Sequence, residues 1–209
     1  MTSAADDHFY EPQSGHRLAH DPFNAIVGPR PIGWISTQDG AGHRNLAPYS
    51  YFNGFNLSPP IVGFASVGYK DTVRNVEHTR EFSWNLATRP LAERLNATSA
   101  TVAPEIDEYA LAGLTPVPCV KIAAPRVAES PVNFECRVVW VRQLSTASGA
   151  AVETWLVVGE VVGVHIARSL LADGNYRTAA AQPILRGGGR AEYFEIGAEA
   201  TRFEMIRPA

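Results

Sequence analysis

Apolar and polar residues alternate from Val132 to Trp140. Val132, Phe134, Cys136, Val138 and Trp140 fall on one face, and Asn133, Glu135 and Arg137 on the other. A period of two marks a half-buried β-strand. The small, polar stretch from Ser145 to Ala151 suits a hairpin loop, and Val152 to Ile166 predicts the strand beyond it. Around Trp155 to Val164 that strand is apolar on both faces, so it needs cover on each side, and a second copy of the chain is one source of cover. Upstream, Arg30 to Thr37 reads as a strand ending in the turn Gln38-Asp39-Gly40-Ala41-Gly42. Ile61 to Ser66, entered through Pro59-Pro60, and Glu81 to Ala87 read as two more. The helical patterns are short. One runs from Asp71, whose carboxylate is suited to cap the first turn, to about His78. Others cover Leu91 to Ser99 and Asp107 to Ala112, the last stopped by Gly113. Residues 1–24 read as irregular, the first twenty as an N-terminal arm of one domain spanning 1–209. Strands joined by tight turns, with helices only in the connections, predict a mainly β, antiparallel barrel. A doubly wound parallel sheet needs regular strand–helix alternation, which the pattern lacks.

Composition narrows the function classes. A chain of 209 residues suits a single β-barrel domain. Its net charge of −3, from 18 basic and 21 acidic residues, offers no positive field for nucleic acid or an anionic membrane surface. No apolar run approaches the roughly 20 residues that cross a bilayer. Met1 to Asp7 is polar and acidic, unlike a signal peptide, so a cytoplasmic location is expected. Cys119 and Cys136 have no metal or redox spacing, and Cys136 reads as a buried small residue. His16 and His20 are four apart but have no third ligand nearby, so no metal site is expected. The three glycines at 187–189 do not form a dinucleotide fingerprint, and no phosphate-binding loop of the GxxxxGK[ST] type is present.

The chemistry concentrates between Pro29 and Thr88. Lys70 supplies a cation, Thr72 a hydroxyl, and the start of the helix at Asp71 free N–H groups and a positive dipole end. Together these suit a phosphate. On spacing alone, an ordinary capped helix with an exposed lysine is the commoner reading, because capped helix starts are common. Asn45 to Tyr51 offers an amide, backbone groups held by Pro48, the Ser50 hydroxyl and a tyrosine, and Trp34, Ser36 and Thr37 on the preceding strand could line the same pocket. Such a pocket suits the polar edge and flat face of an aromatic cofactor. A proline-containing strand edge with incidental polar residues is the competing reading. His165, near the end of its strand, reads either as a hydrogen-bonded interface histidine or as a contact for an incoming nicotinamide.

The run PRPIGWIST…NLAPYSYF…PPIVGFAS…KDTVRNV…EFSWNLAT resembles the flavin reductase-like family of FMN-binding split barrels. DEYALAGL at 107–114, PRVAESPVNFEC at 125–136, GEVVGVHI at 159–166 and ILRGGG…Y at 184–193 continue the likeness in order. The resemblance implies a six-stranded antiparallel Greek-key barrel with peripheral helices, assembled as a homodimer with flavin sites near the interface. It carries flavin contacts onto Thr37, Asn45, Leu46, Ala47, Ser50, Ser66, Lys70, Asp71 and Thr72, with Lys70 and Thr72 at the phosphate. It implies FMN as cofactor, with FAD the alternative flavin, hydride transfer from NADH or NADPH to flavin N5, and an acceptor such as a partner monooxygenase. The flavin carries that chemistry, so no side chain is named as catalytic. An electron carrier or flavin store without NAD(P)H turnover is the alternative. Relatives often read Arg-Leu-Gly-Gly where this chain has Arg186-Gly187-Gly188-Gly189, and an extra glycine is expected to loosen that loop.

Overall fold

In the computed structural model, which describes residues 7–197, 202, 203 and 205, one antiparallel sheet of seven strands dominates. Its strands are β1 (Gly33–Gln38), β2 (Arg44–Tyr49), β3 (Phe52–Leu57), β4 (Pro60–Val67), β5 (Glu81–Asn85), β6 (Val132–Ser145) and β7 (Ala151–Ile166). Their order across the sheet is β2-β1-β5-β6-β7-β4-β3. The helices are short: α1 (Phe23–Ile26), α2 (Asp71–Thr79), α3 (Ala92–Ala97) and α4 (Glu108–Leu111). The mainly β, antiparallel expectation therefore holds, with seven strands in the main sheet where the resemblance implies six. Strands β2 and β3 were not separated from their surroundings by the hydrophobic pattern, because Pro48 and the run of Asn and Gly residues hide it.

The sheet curls because one face of nearly every strand shares a single core. Ile35, Tyr49, Phe64, Phe82, Trp84, Cys136, Val138, Val157 and Val161, from six of the strands, pack together with Val76 of α2. Phe64 meets Phe82 edge-on at 5.6 Å, and Trp84 lies between Phe52 and Phe134. Gly159 permits this: a Cβ there would stand 2.5 Å from the Phe82 ring. A second core forms outside the barrel. Trp34 and Leu46, from the opposite faces of β1 and β2, pack with Leu91, Leu95, Tyr109, Leu114 and Val127 beneath α3 and α4.

Strand β1 is thus buried on both sides, and alternation divides its residues. Ile35 points into the barrel, while Trp34 points under the peripheral helices. The Trp34 indole N–H donates to Thr98 Oγ1 at 3.0 Å, and Ser36 Oγ accepts from Tyr109 Oη at 2.8 Å.

Strand β6 departs from the half-buried expectation. Asn133 and Glu135, on its polar face, are buried, because the segment 119–127 crosses over them. Asn133 donates to Asn85 Oδ1 at 2.8 Å, and Asn85 Oδ1 also accepts the Val127 N–H. Glu135 accepts the Val120 and Lys121 N–H groups at 2.8 and 2.5 Å. Buried polar groups are tolerated when each is hydrogen-bonded in this way.

The start of α2 also differs from expectation. Lys70 is the N-cap, and no side chain caps the first turn. Asp71 is the first helical residue, and its carboxylate pairs with Arg74 at 2.7 Å instead of capping. At the triple glycine, a Cβ on Gly188 would stand 2.3 Å from Ala25 of α1, so glycine there permits close packing. The Gly188 and Gly189 N–H groups both donate to Glu192, so the loop is tied down rather than loosened.

Candidate functional site

Strand β2 lies at one edge of the sheet, and Asn45, Ala47 and Tyr49 share one of its faces. Asn45 sits opposite Thr37 of β1 in the ladder, and α2 closes over both. A hydrogen-bonded chain fixes these elements together. Asn75 Nδ2 donates to Thr37 Oγ1 at 3.1 Å, and Asn45 Nδ2 donates to Thr37 Oγ1 at 3.3 Å and to Thr72 Oγ1 at 2.8 Å. All four residues are buried. Because Thr72 Oγ1 accepts from Asn45, its own O–H is left to donate elsewhere.

Beside this chain lies a cavity of about 350 Å³, lined by Asn45, Ala47, Pro48, Tyr49, Lys70, Asp71, Thr72, Glu108 and the segment Thr98 to Val102. Three observations show what would fit there. The N–H groups opening α2 have no side-chain cap, and they carry the positive end of a nine-residue helix. Lys70 is exposed at that terminus. Tyr49 lines the cavity, and its buried Oη has no hydrogen-bond partner among the described residues. Burial holds the Tyr49 pKa above the ordinary phenol value, and the nearby Thr72 and Ser66 hydroxyls oppose the rise. An unpaired buried hydroxyl is costly, on the order of 1–3 kcal/mol, and a ligand acceptor would relieve it. Donors thus meet at the α2 end of the cavity, where the Asp71 carboxylate is already paired with Arg74, and this is the chemistry of an anion site.

The opposite wall is different. Glu108 of α4 is buried, and its carboxylate accepts the Leu46 N–H at 3.1 Å. Burial pushes its pKa up; the backbone N–H bonds oppose this, while Asp107 and Asp71 add to the rise. The cavity therefore has a donor-rich end at α2 and an acceptor at α4. That asymmetry suits a ligand with a phosphate at one end and N–H or O–H donors elsewhere.

The structure brings Asn45, Ala47, Lys70, Asp71 and Thr72 to this cavity, with Thr37 one hydrogen bond behind it. Leu46 lies in the outer core and approaches only through its backbone. Ser66 is buried on β4, its hydroxyl donating to the Gly68 carbonyl at 2.8 Å. Ser50 and Tyr51 lie beyond the lining. The Ser50 carbonyl accepts from Arg30, and Tyr51 Oη donates to Asn24 Oδ1 at 2.8 Å. Trp34 and Ser36 point away, under α3 and α4, so their placement beside Thr37 in one pocket is corrected. Residues one apart on a strand face opposite sides.

His165 belongs elsewhere. Its Nε2 lies 2.5 Å from Glu135 Oε1, and it lines a separate polar cavity with Arg126, Ser130 and Asn133. Burial raises the Glu135 pKa, but hydrogen bonds from Val120, His165 and Lys121 outweigh it and hold the carboxyl below its usual value. Neither cysteine is poised as a nucleophile: burial pushes the Cys119 thiol up to about 12 and Cys136 well above its ordinary value.

Sequence reasoning missed Tyr49, Glu108 and the Thr98 to Val102 segment. Tyr49 was recoverable, since it falls two residues after Ala47 and four after Asn45 once 44–49 is read as a strand. Glu108 had no local signal, because it reaches Leu46 across 62 residues of sequence.

Residues 28–180 match the family model described as flavin reductase like domain. An uncharacterized protein of Halalkalibacterium halodurans is 34% identical over 195 residues, covering 89% of this chain and 90% of the relative. Among solved structures, nitrilotriacetate monooxygenase component B from Bacillus cereus superposes with a TM-score of 0.81 at 28% identity, covering 98% of each chain. A Shewanella frigidimarina protein with a split barrel domain gives 0.77 at 25% identity, covering 88% of this chain and 90% of its own.

Proposed function

The chain belongs to the flavin reductase-like family, and on that premise we propose that it binds FMN in the cavity between β2 and α2 and serves as an NAD(P)H-dependent oxidoreductase. The carrying observation is the convergence of unpaired donors at one end of that cavity. Lys70, the Thr72 hydroxyl, the first N–H groups of α2 and Tyr49 Oη would hold the phosphate. Asn45, Ala47 and the backbone at Leu46, with Thr37 behind them, would border the ring, while Ser50 and Ser66 lie outside this lining. Asp71 belongs to the same wall, and its carboxylate pairs with Arg74 at 2.7 Å.

FMN, when bound, supplies hydride acceptance and onward electron release. The chain's own part is to bind and orient. The Thr37–Asn45–Thr72–Asn75 network fixes the donors before a ligand arrives, so little ordering is left for binding. No side chain of the cavity is assigned as acid or base.

The proposal includes a homodimer and a separate acceptor, such as a flavin-dependent monooxygenase. Exposed Val139, Val164 and Ile166 on β6 and β7 support the first, since a second copy would cover them. Similarity to a monooxygenase component supports the second. The cytoplasmic expectation stands with these; among the described residues no helix is long and apolar enough to cross a membrane.

Stopped-flow mixing of the flavin-loaded protein with NADH and with NADPH tests the enzymatic half. Rapid bleaching of the flavin band is expected with at least one of them. Bound flavin that bleaches with neither would make the protein a carrier or store.

A further inference from the structure

An aromatic pair adjoins the start of α2. Tyr69 immediately precedes Lys70, the N-cap of α2, and half of it is exposed. Its ring stands edge-on to that of Trp155, with centroids 5.3 Å apart and planes at 72°. Both rings are held. Tyr69 Oη donates to Glu77 Oε2 at 2.6 Å, so the phenol is tethered to the second turn of α2. Trp155 sits on β7 directly opposite Ser66 of β4. Directly paired residues project from the same face of a sheet, so Trp155 stands beside Ser66, the neighbour of Tyr49 Oη. The turn between them is open: Gly68 takes φ +90°, and its N–H is bound to the Glu153 carbonyl.

A held aromatic pair, with Tyr69 half-exposed beside an uncapped helix terminus and its lysine and Trp155 partly buried behind it, is suited to a particular task. A phosphate held by Lys70 and α2 would leave whatever lies beyond it over these rings. A second phosphate with a flat base attached would continue past Lys70 and stack there, by the sequence-tolerant stacking that binds bases to exposed aromatics.

We propose that Tyr69 and Trp155 form a stacking subsite for the adenine ring of an adenine dinucleotide whose diphosphate passes beside the exposed Lys70. This rests on the flavin reading of the cavity and deepens it. The ring could be that of FAD, making this the preferred flavin, or that of the nicotinamide donor when FMN is bound. The shared chemistry is an adenosine phosphate.

The test compares wild type with Tyr69→Ala, Trp155→Ala and the ring-conserving Trp155→Phe. Dissociation constants for FMN and FAD are read from quenching of flavin fluorescence. AMP binding to the flavin-free protein, and NADPH and NADH binding to the FMN-loaded protein under anaerobic conditions, are read by calorimetry. FMN affinity in each variant reports whether the cavity is intact. Each alanine variant is expected to weaken one adenine ligand by about 5- to 150-fold, the range for loss of one stacked base, with FMN unchanged and Trp155→Phe close to wild type. Loss confined to FAD assigns the platform to the flavin, and loss confined to NADPH or NADH assigns it to the donor. If FMN binds normally and both alanine variants leave FAD, AMP, NADPH and NADH affinities unchanged, the subsite is overturned. If neither flavin binds wild type, the parent reading falls; loss of AMP binding in the alanine variants would then still support the platform, and unchanged AMP binding would overturn it too.

Discussion

Replacing Lys70 by alanine isolates the phosphate end of the cavity more cleanly than any other change. Lys70 is exposed, and no hydrogen bond or ion pair holds its ammonium among the described residues. Its loss therefore removes a ligand contact without breaking the network behind it. Thr72 lacks this property, because Thr72 Oγ1 is the acceptor for Asn45 at 2.8 Å. A hydrogen bond to a charged group contributes about 1.5–3 kcal/mol, and exposure places Lys70 at the lower end. About 1.5 kcal/mol corresponds to roughly tenfold in affinity. The assay is parallel fluorescence titration of wild type and Lys70→Ala with FMN and with riboflavin, which lacks the phosphate. FMN affinity should fall about tenfold while riboflavin affinity stays the same. At ionic strengths near 1 M, where the screening length shrinks to about 3 Å, the FMN difference should narrow. Equal losses for both ligands, or no loss for FMN, would refute the assignment of Lys70 to a phosphate.

Four further outcomes follow from the packing and electrostatics. Glu135→Ala leaves the Val120 and Lys121 N–H groups and His165 without their acceptor, and should cost about 3–5 kcal/mol in urea unfolding; a loss below about 1 kcal/mol would refute its structural role. The Glu135 carboxyl is held low in the fold, so its stabilising contribution is present above the unfolded carboxyl pKa and lost as pH falls through the folded value. Glu135→Gln should flatten the acid limb of the melting-temperature profile. Glu108 has the opposite sign: its raised pKa means that stability present in acid is lost as pH rises through the folded value. Glu108→Gln should thus gain on wild type progressively between pH 4 and 8, and a constant gap would contradict the buried-carboxylate account. Gly159→Ala would drive a Cβ to 2.5 Å from the Phe82 ring, for an expected cost of about 1–3 kcal/mol by thermal denaturation; an unchanged melting temperature would show that the Phe82 ring yields freely.

Where sequence pattern and structure agree, the determinant is local. The alternation at 132–140 predicted β6, the double-sided apolar run predicted β7, and Gly113 at φ +64° ends the segment that follows α4. Asn45, Lys70, Asp71 and Thr72 were legible because their chemistry is grouped in two short motifs. What was illegible depends on the third dimension. Trp34 and Ser36 were placed with Thr37 because they adjoin it in sequence, yet strand geometry turns them under α3 and α4. Asn133 and Glu135 looked solvent-facing because nothing in their own segment reveals that 119–127 covers them. Glu108 enters the site through a helix far along the chain, and its bond to Leu46 exists only once β2 forms the sheet edge.

The central claim is that donors around Tyr49, Lys70 and Thr72 hold a flavin by its phosphate. Mass spectrometry of the small molecule released from the purified protein, after incubation with a mixture of riboflavin, FMN and FAD and removal of the excess, tests it most directly. The account predicts a phosphorylated flavin, recovered near one per chain and in preference to riboflavin. Recovery of no flavin, or of riboflavin as readily as its phosphorylated forms, would contradict it.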